Sequence, residues 1–198
     1  AGPITTAFGA EYRKESLKRE VDDLSEQALF LITNAQPLEG DYDVKEVFGE
    51  VLVPILDEAT TGQSLNFNGA VRYTDYSTSG TVVTWKAGLA YNPIRDLRFR
   101  GTISRDIRAP SIGEVFLETL LLFGNISNPL TGNVDFAAIL NTGNSDLKEE
   151  SALTKTVGMV YSPEWFDNFQ VSVDWYDIDI KDAIQSVSSQ SIVDECAA

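Results

Sequence analysis

The chain has 198 residues, 30 Asp plus Glu against 15 Lys plus Arg, a formal charge of −15, no histidine and one cysteine. Without histidine there is no Ser-His-Asp or Cys-His catalysis, no HExxH zinc site and no imidazole pH switch. A lone cysteine closes no internal disulfide or thiolate zinc cluster, and the acidic balance argues against a nucleic-acid partner, which needs a basic stripe.

No apolar run approaches the roughly 18 residues of a membrane-spanning helix, and residues 1–6 lack the basic start and apolar stretch of a signal peptide. The charge is unevenly placed. Residues 20–50 carry a net −8 and residues 164–198 a net −7, whereas residues 51–163 sum to only −2 and residues 1–19 to +2.

In chain order, the predicted elements are strands. Ile4, Thr6, Phe8, Ala10 and Tyr12 alternate with Gly9, Glu11 and Arg13. Successive strand side chains point to opposite faces, so such a segment presents one apolar and one polar face. Val47, Gly49, Val51, Val53 and Ile55 alternate with Glu46, Phe48, Glu50 and Leu52. The cleanest case is 65–74, where Leu65, Phe67, Gly69, Val71 and Tyr73 oppose Asn66, Asn68, Ala70, Arg72 and Thr74. Val83, Trp85, Ala87, Leu89 and Tyr91 then oppose Thr84, Lys86, Gly88 and Ala90, and Leu97, Phe99, Gly101 and Ile103 oppose Arg98, Arg100, Thr102 and Ser104. Two more strands follow, with Leu153, Lys155, Val157, Met159 and Tyr161 on one face of the first and Phe169, Val171, Val173 and Trp175 on one face of the second.

These seven candidates are long for globular strands, which average about 5–6 residues. Their connections differ by end. Residues 57–63, 92–96 and 163–168 are short turns, while the other end carries the long segments 20–41 and 111–150 and one brief exception at Thr78-Ser79-Gly80. Alternation alone leaves two solvents open. A soluble barrel or sandwich buries the apolar face, and a membrane barrel turns it to lipid around a polar lumen. Strand length, unequal loops and aromatics near strand ends (Tyr12, Tyr73, Tyr91, Trp85, Trp175) favour the membrane.

Several phrases carry a resemblance. They include Gly9-Ala10-Glu11-Tyr12-Arg13, the run Tyr42 to Glu50 followed by Pro54, and Gly69-Ala70-Val71-Arg72-Tyr73-Thr74-Asp75-Tyr76-Ser77. Thr84-Trp85-Lys86-Ala87-Gly88-Leu89 and the run Leu97 to Arg105 follow, then Arg108-Ala109-Pro110-Ser111 with Glu114-Val115-Phe116. Leu147-Lys148-Glu149-Glu150-Ser151, Asp174-Trp175-Tyr176-Asp177-Ile178 and Ile180-Lys181-Asp182-Ala183-Ile184 close the series. In order and spacing the chain resembles the β-barrel domain of TonB-dependent outer-membrane receptors.

The resemblance implies an all-β fold, an antiparallel up-and-down meander of about seven long strands within a transmembrane β-barrel of about 22 strands with long extracellular loops. Residues 1–198 then read as a partial barrel, roughly a third of one, without the plug domain, the TonB box or the C-terminal strands. The resemblance also implies binding and import of a scarce nutrient (siderophore-iron, cobalamin or oligosaccharide) across the outer membrane of a Gram-negative bacterium. The partners would be outer-membrane lipid, the receptor's own plug, the TonB complex acting through that plug, and the nutrient itself. No catalytic residue, metal or cofactor is expected. A passive porin or adhesin barrel and a soluble β-sandwich binding module are the alternatives.

Arg105, Asp106, Arg108 and Glu114 are the expected ligand-binding residues, placed at the top of the fifth strand where a ligand descending from the loops meets them. Salt bridging at a rim is the plainer role for them. Arg72, Lys86, Arg98 and Arg100 are expected to face the plug. The acids of 20–43 lack calcium-loop spacing and read as a solvated run. Asp177 and Asp179 share a strand face roughly 7 Å apart, within the broad range for glycosidase carboxylates, but without a sugar-binding cleft. The apolar island Phe116–Phe123 reads as a short helix packing the long loop down, with a ligand-contacting patch as the alternative. In relatives, a cysteine near Cys196 is implied to pair with one this chain lacks.

Overall fold

The computed structural model describes residues 2–27, 29–30, 34–57 and 62–197. Among the described residues are nine strands: β1 Thr5–Arg19, β2 Leu38–Leu56, β3 Ser64–Tyr76, β4 Gly80–Ile94, β5 Leu97–Arg108, β6 Leu120–Ser127, β7 Val134–Asn141, β8 Glu150–Tyr161 and β9 Val171–Lys181. Short helices accompany them among these residues: α1 Asp23–Glu26, α2 Ile112–Phe116 and, after β9, α3 Ser189–Cys196.

Every predicted strand is there, and each is longer or slightly shifted. The second runs 19 residues, beginning at Leu38 instead of near Glu46, and the last begins at Val171 because Phe169 sits in the preceding turn, its ring 5.2 Å from that of Phe166. Of the predicted turn 57–63, residues 58–61 lie outside the described residues.

Seven strands form one sheet in the order β1-β2-β3-β4-β5-β8-β9, and the hairpin β6-β7 is a separate two-stranded sheet. Each resolved pairing in the large sheet is antiparallel. The result is a meander of sequential neighbours, interrupted once between β5 and β8. The chain divides into two compact units. The sheet unit comprises the residues up to Arg13, Asp43–Ala109 and Glu149–Ala183; the loop unit comprises Lys14–Tyr42, Pro110–Lys148 and the residues from Ile184 onward.

Register shows which residues share a face of the sheet unit. One transverse row reads Glu50, Ala70, Lys86, Ser104 and Thr154, and another reads Asn68, Gly88, Thr102, Thr156 and Tyr176. A third joins Ala90, Arg100, Gly158 and Asp174. On the opposite face Val71, Trp85, Arg105, Leu153 and Asp179 form one row, and Phe67, Leu89, Gly101, Val157 and Trp175 another.

Side chains are exposed on both faces, Arg72, Lys86, Arg98 and Arg100 on the polar one, and burial is local. On the polar face Val44, Thr74, Val82 and Glu46 are buried, Val44 completely. Large side chains of the apolar face stand open, with Phe8 83%, Val173 64%, Val157 59% and Trp175 58% exposed. Scattered exposed apolar residues are ordinary in any protein, but a continuous exposed sheet face is not.

Toward the end of β9 the alternation changes phase. In β9 the polar face carries Ile178 and Ile180, opposite Thr154 and Ala152, while the apolar face carries Asp177 and Asp179 above Trp175. Lys155 and Asp177 pair there at 3.5 Å. The apolar face therefore ends in a charged edge at that level.

The loop unit is held by caps and close backbone contacts. Asp22 caps α1, its carboxylate accepting from the Leu24 and Ser25 N–H groups and the Ser25 hydroxyl. Those bonds, the Ser25 hydroxyl foremost, hold its carboxyl below the ordinary value of 3.8. Ser111 and Glu114 form a reciprocal capping box on α2, satisfying two otherwise unpaired N–H groups. Gln190 of α3 bonds the backbone of Ser127 in both directions, at 2.8 and 2.9 Å. A Cβ on Gly143 would lie 2.7 Å from Leu117 N and Val115 O. Glycine there lets the segment dock on the end of α2, where Gly143 N–H donates to Leu117 O at 2.8 Å.

The island Phe116–Phe123 is not the expected helix. Phe116 ends α2, and Leu120 opens β6, which pairs in register with β7 so that Phe123 stacks on Phe136 at 5.8 Å. A short apolar run suits either conformation, and here a pairing partner just downstream decides it.

Candidate functional site

The four expected ligand-binding residues do not form one group. Arg105 lies opposite Trp85 and Leu153, on the apolar face. Asp106 and Arg108 lie on the polar face, opposite Ala152 and Glu150. Arg108 meets Glu150 through two bonds of 2.8 and 2.9 Å, and Asp106 accepts from the Ser104 hydroxyl at 2.7 Å. Glu114 belongs to the loop unit, where its carboxylate accepts the Ser111 N–H at 2.7 Å. One-residue alternation separates Arg105 from its sequence neighbours, since adjacent strand positions always point apart.

Arginine–carboxylate pairs that cross strands organise the polar face. Arg72 Nη1 lies 3.1 Å from Glu46 Oε2, its guanidinium is 5.1 Å above the Phe48 ring, and the Thr74 hydroxyl donates to the same carboxylate at 3.0 Å. Arg100 on β5 reaches over β8 to Asp174 on β9 through bonds of 2.9 and 2.7 Å. Gly158 lies directly beneath this pair, and a Cβ there would collide with the Asp174 carboxylate. Planar two-point contact is the geometry in which an arginine–carboxylate pair is strongest. Lys86 and Arg98 have no ion-pair partner among the described residues. Lys86 lines a small cavity with Glu50 and Asn68, and Arg98 lines another with Ser64 and Asn92.

Several acids of 20–43 have partners, Asp43 accepting from the Tyr12 hydroxyl at 2.8 Å. Asp41 pairs with Lys14, Glu20 with Lys18 at 2.8 Å, and Asp22 is the α1 cap. Asp177 is paired with Lys155, and it and Asp179 form a charged edge on the apolar face. Cys196 is exposed in α3.

The loop unit contains a cavity of about 650 Å³, walled by the end of β1, the start of β2, α2, the end of β7 and residues 184–187. Glu114 is on its lining together with Arg19, Asn144, Gln185 and Ser186. Arg19 Nη2 donates to the Gln36 carbonyl at 2.8 Å. Neutral loop residues such as Asn144 and Gln185 carry no motif, so sequence reasoning had no signal for them. Glu114 alone was singled out.

The family profile described as "TonB dependent receptor-like, beta-barrel" matches residues 2–197. No curated protein matches the sequence. Among solved structures, the siderophore receptor PirA from Acinetobacter baumannii superposes with a TM-score of 0.68 at 18% identity, covering 91% of this chain and 25% of that one. A variant of the ferric enterobactin receptor PfeA from Pseudomonas aeruginosa, in complex with enterobactin, superposes with a TM-score of 0.67 at 16% identity, over 90% of this chain and 24% of that one. At that identity the likeness is one of fold. The chain spans about a quarter of the length of these receptors.

Proposed function

Because the chain belongs to the TonB-dependent receptor-like β-barrel family, whose members are outer-membrane transporters of Gram-negative bacteria and not enzymes, we propose that it is a wall segment of an outer-membrane nutrient importer. The intact receptor binds a scarce nutrient on its outer side and passes it to the periplasm when the TonB complex acts on the plug. A ferric siderophore is the leading nutrient, by likeness to receptors named for siderophores.

One observation carries this reading: one face of the sheet is a continuous row of large exposed apolar side chains, while the other is polar and cross-linked by ion pairs. Lipid supplies no hydrogen-bond partners, so a spanning strand must pair its backbone with its neighbours and turn apolar side chains outward. The five inner strands of the sheet pair on both sides, and one face of the sheet is apolar and exposed, which supports this reading. Lys86 and Arg98, which the polar face leaves without ion-pair partners, are the natural contacts for the plug. Asp106 and Arg108 mark the rim of that face, and Glu114 the loop cavity. Arg105, turned to the apolar side beside Trp85 in the lattice of strand pairs, serves the membrane interface, where a long cationic side chain reaches headgroups.

The test is uptake by the full-length receptor in its own host. Deleting the gene is expected to abolish uptake of a ferric siderophore under iron limitation, and the restored gene to recover it only while the TonB complex is intact. Uptake that persists without the TonB complex would mean a passive pore and would sink the proposal.

A further inference from the structure

The cavity of the loop unit has the size of a small-molecule site, which spans about 300–1,000 Å³. Its lining is unusual in charge. Arg19 is the one cation and Glu114 the one anion, and the remaining polar positions are neutral hydroxyls and amides such as Thr142, Asn144, Gln185 and Ser186. Arg19 spends a guanidinium N–H on the Gln36 carbonyl. The unit around the cavity holds four bases (Lys14, Lys18, Arg19 and Lys148) against thirteen acids, a net −9. Two of those bases are already ion-paired, Lys14 with Asp41 and Lys18 with Glu20.

Recognition of a polyanion calls for clustered arginine or lysine forks aimed at its oxygens. This cavity has none, and the field of its unit repels negative charge before contact. Neutral hydroxyls and amides instead suit a ligand bearing hydroxyl and amide groups, and the surrounding acids favour one with no negative charge or with positive charge.

Resting on the importer reading above, we infer that this cavity selects the nutrient by charge: it takes a neutral or cationic, amide- and hydroxyl-bearing ligand, of the kind a ferric trihydroxamate represents, and excludes polyanionic chelates such as a ferric tris-catecholate. The selection acts partly at long range, so it weakens as salt screens the acidic loops.

The experiment is equilibrium dialysis of the purified full-length receptor in detergent against two iron-labelled probes, a cationic ferric trihydroxamate and an anionic ferric tris-catecholate, at low and high salt. The trihydroxamate is expected to bind at least about tenfold more tightly at low salt, with a smaller margin at high salt. Gln185→Lys, which puts a cation on the lining away from any cap, is expected to narrow the preference several-fold. Equal or tighter tris-catecholate binding at low salt overturns the inference, as does binding of neither probe. A preference that Gln185→Lys leaves untouched overturns the assignment to this cavity. None of these outcomes alters the TonB dependence of uptake, so the importer reading stands or falls separately.

Discussion

The sheet unit and the loop unit are built from one chain by different rules. The sheet unit is ordered by long hydrogen-bonded ladders, carries a net −6 from eleven bases and seventeen acids, and spends its arginines on pairs across strands. The loop unit has short elements, a net −9 and scarcely any cations, and is held by side-chain caps and glycine-permitted backbone contacts. The difference is one of backbone pairing: ladders between strands hold the sheet unit, whereas the loop unit is pinned where a cap or a tight contact exists.

The sharpest way to break the contrast is to exchange the two faces of the sheet. Leu89→Lys on the apolar face is expected to cost about 2–4 kcal/mol in folding of the full-length receptor into vesicles. Thr84→Lys, on the polar face opposite Arg72, is expected to cost far less. Equal penalties would show that both faces see the same solvent. Reversible denaturant unfolding in phospholipid vesicles measures both.

A smaller effect tests the clamp over β8. Gly158→Ala is expected to destabilise the sheet by about 1–2 kcal/mol, because the new methyl displaces the Arg100–Asp174 pair. Most of that loss should vanish in an Asp174→Ala background, where no carboxylate remains to collide with. A double-mutant cycle without coupling would place the cost elsewhere.

In the loop unit the expected effects are local. Ser111→Ala removes half of the α2 capping box and should cost about 1 kcal/mol, seen as faster amide exchange over 112–117 with no change in the sheet strands. The smallest effect is titration of the α1 cap. Since hydrogen bonds lower the Asp22 carboxyl in the folded state, its contribution is complete above the ordinary carboxyl value and fades as pH falls through the lowered one. Amide protection over 23–26, taken relative to intrinsic exchange at each pH, should therefore stay constant down to about pH 4 and fall only below it; an earlier loss would mean the cap is not formed.

The sheet was largely legible before any coordinates. Period-two alternation at 65–74, 83–91 and 97–104 located three strands and both faces, because a half-exposed strand leaves no other arrangement for its apolar residues. The β6-β7 hairpin was not legible, since Leu120–Phe123 suits helix or strand until Val134–Asn141 is beside it. The candidate site was legible only in pieces. Arg105 stands out by sequence next to Asp106 and Arg108, yet register turns it to the opposite face. The cavity around Glu114 is lined by residues far apart in the chain, and no local pattern brings Arg19 and Gln185 together.

By itself, then, the sequence determined that this chain is a meander of long two-faced strands with no histidine-based chemistry, because composition and side-chain periodicity act locally. Tertiary structure alone decided which arginine meets which carboxylate, and that Gly158 must lack a side chain. Those outcomes depend on register between strands as distant in sequence as Arg100 and Asp174, and register is a property of the assembled sheet.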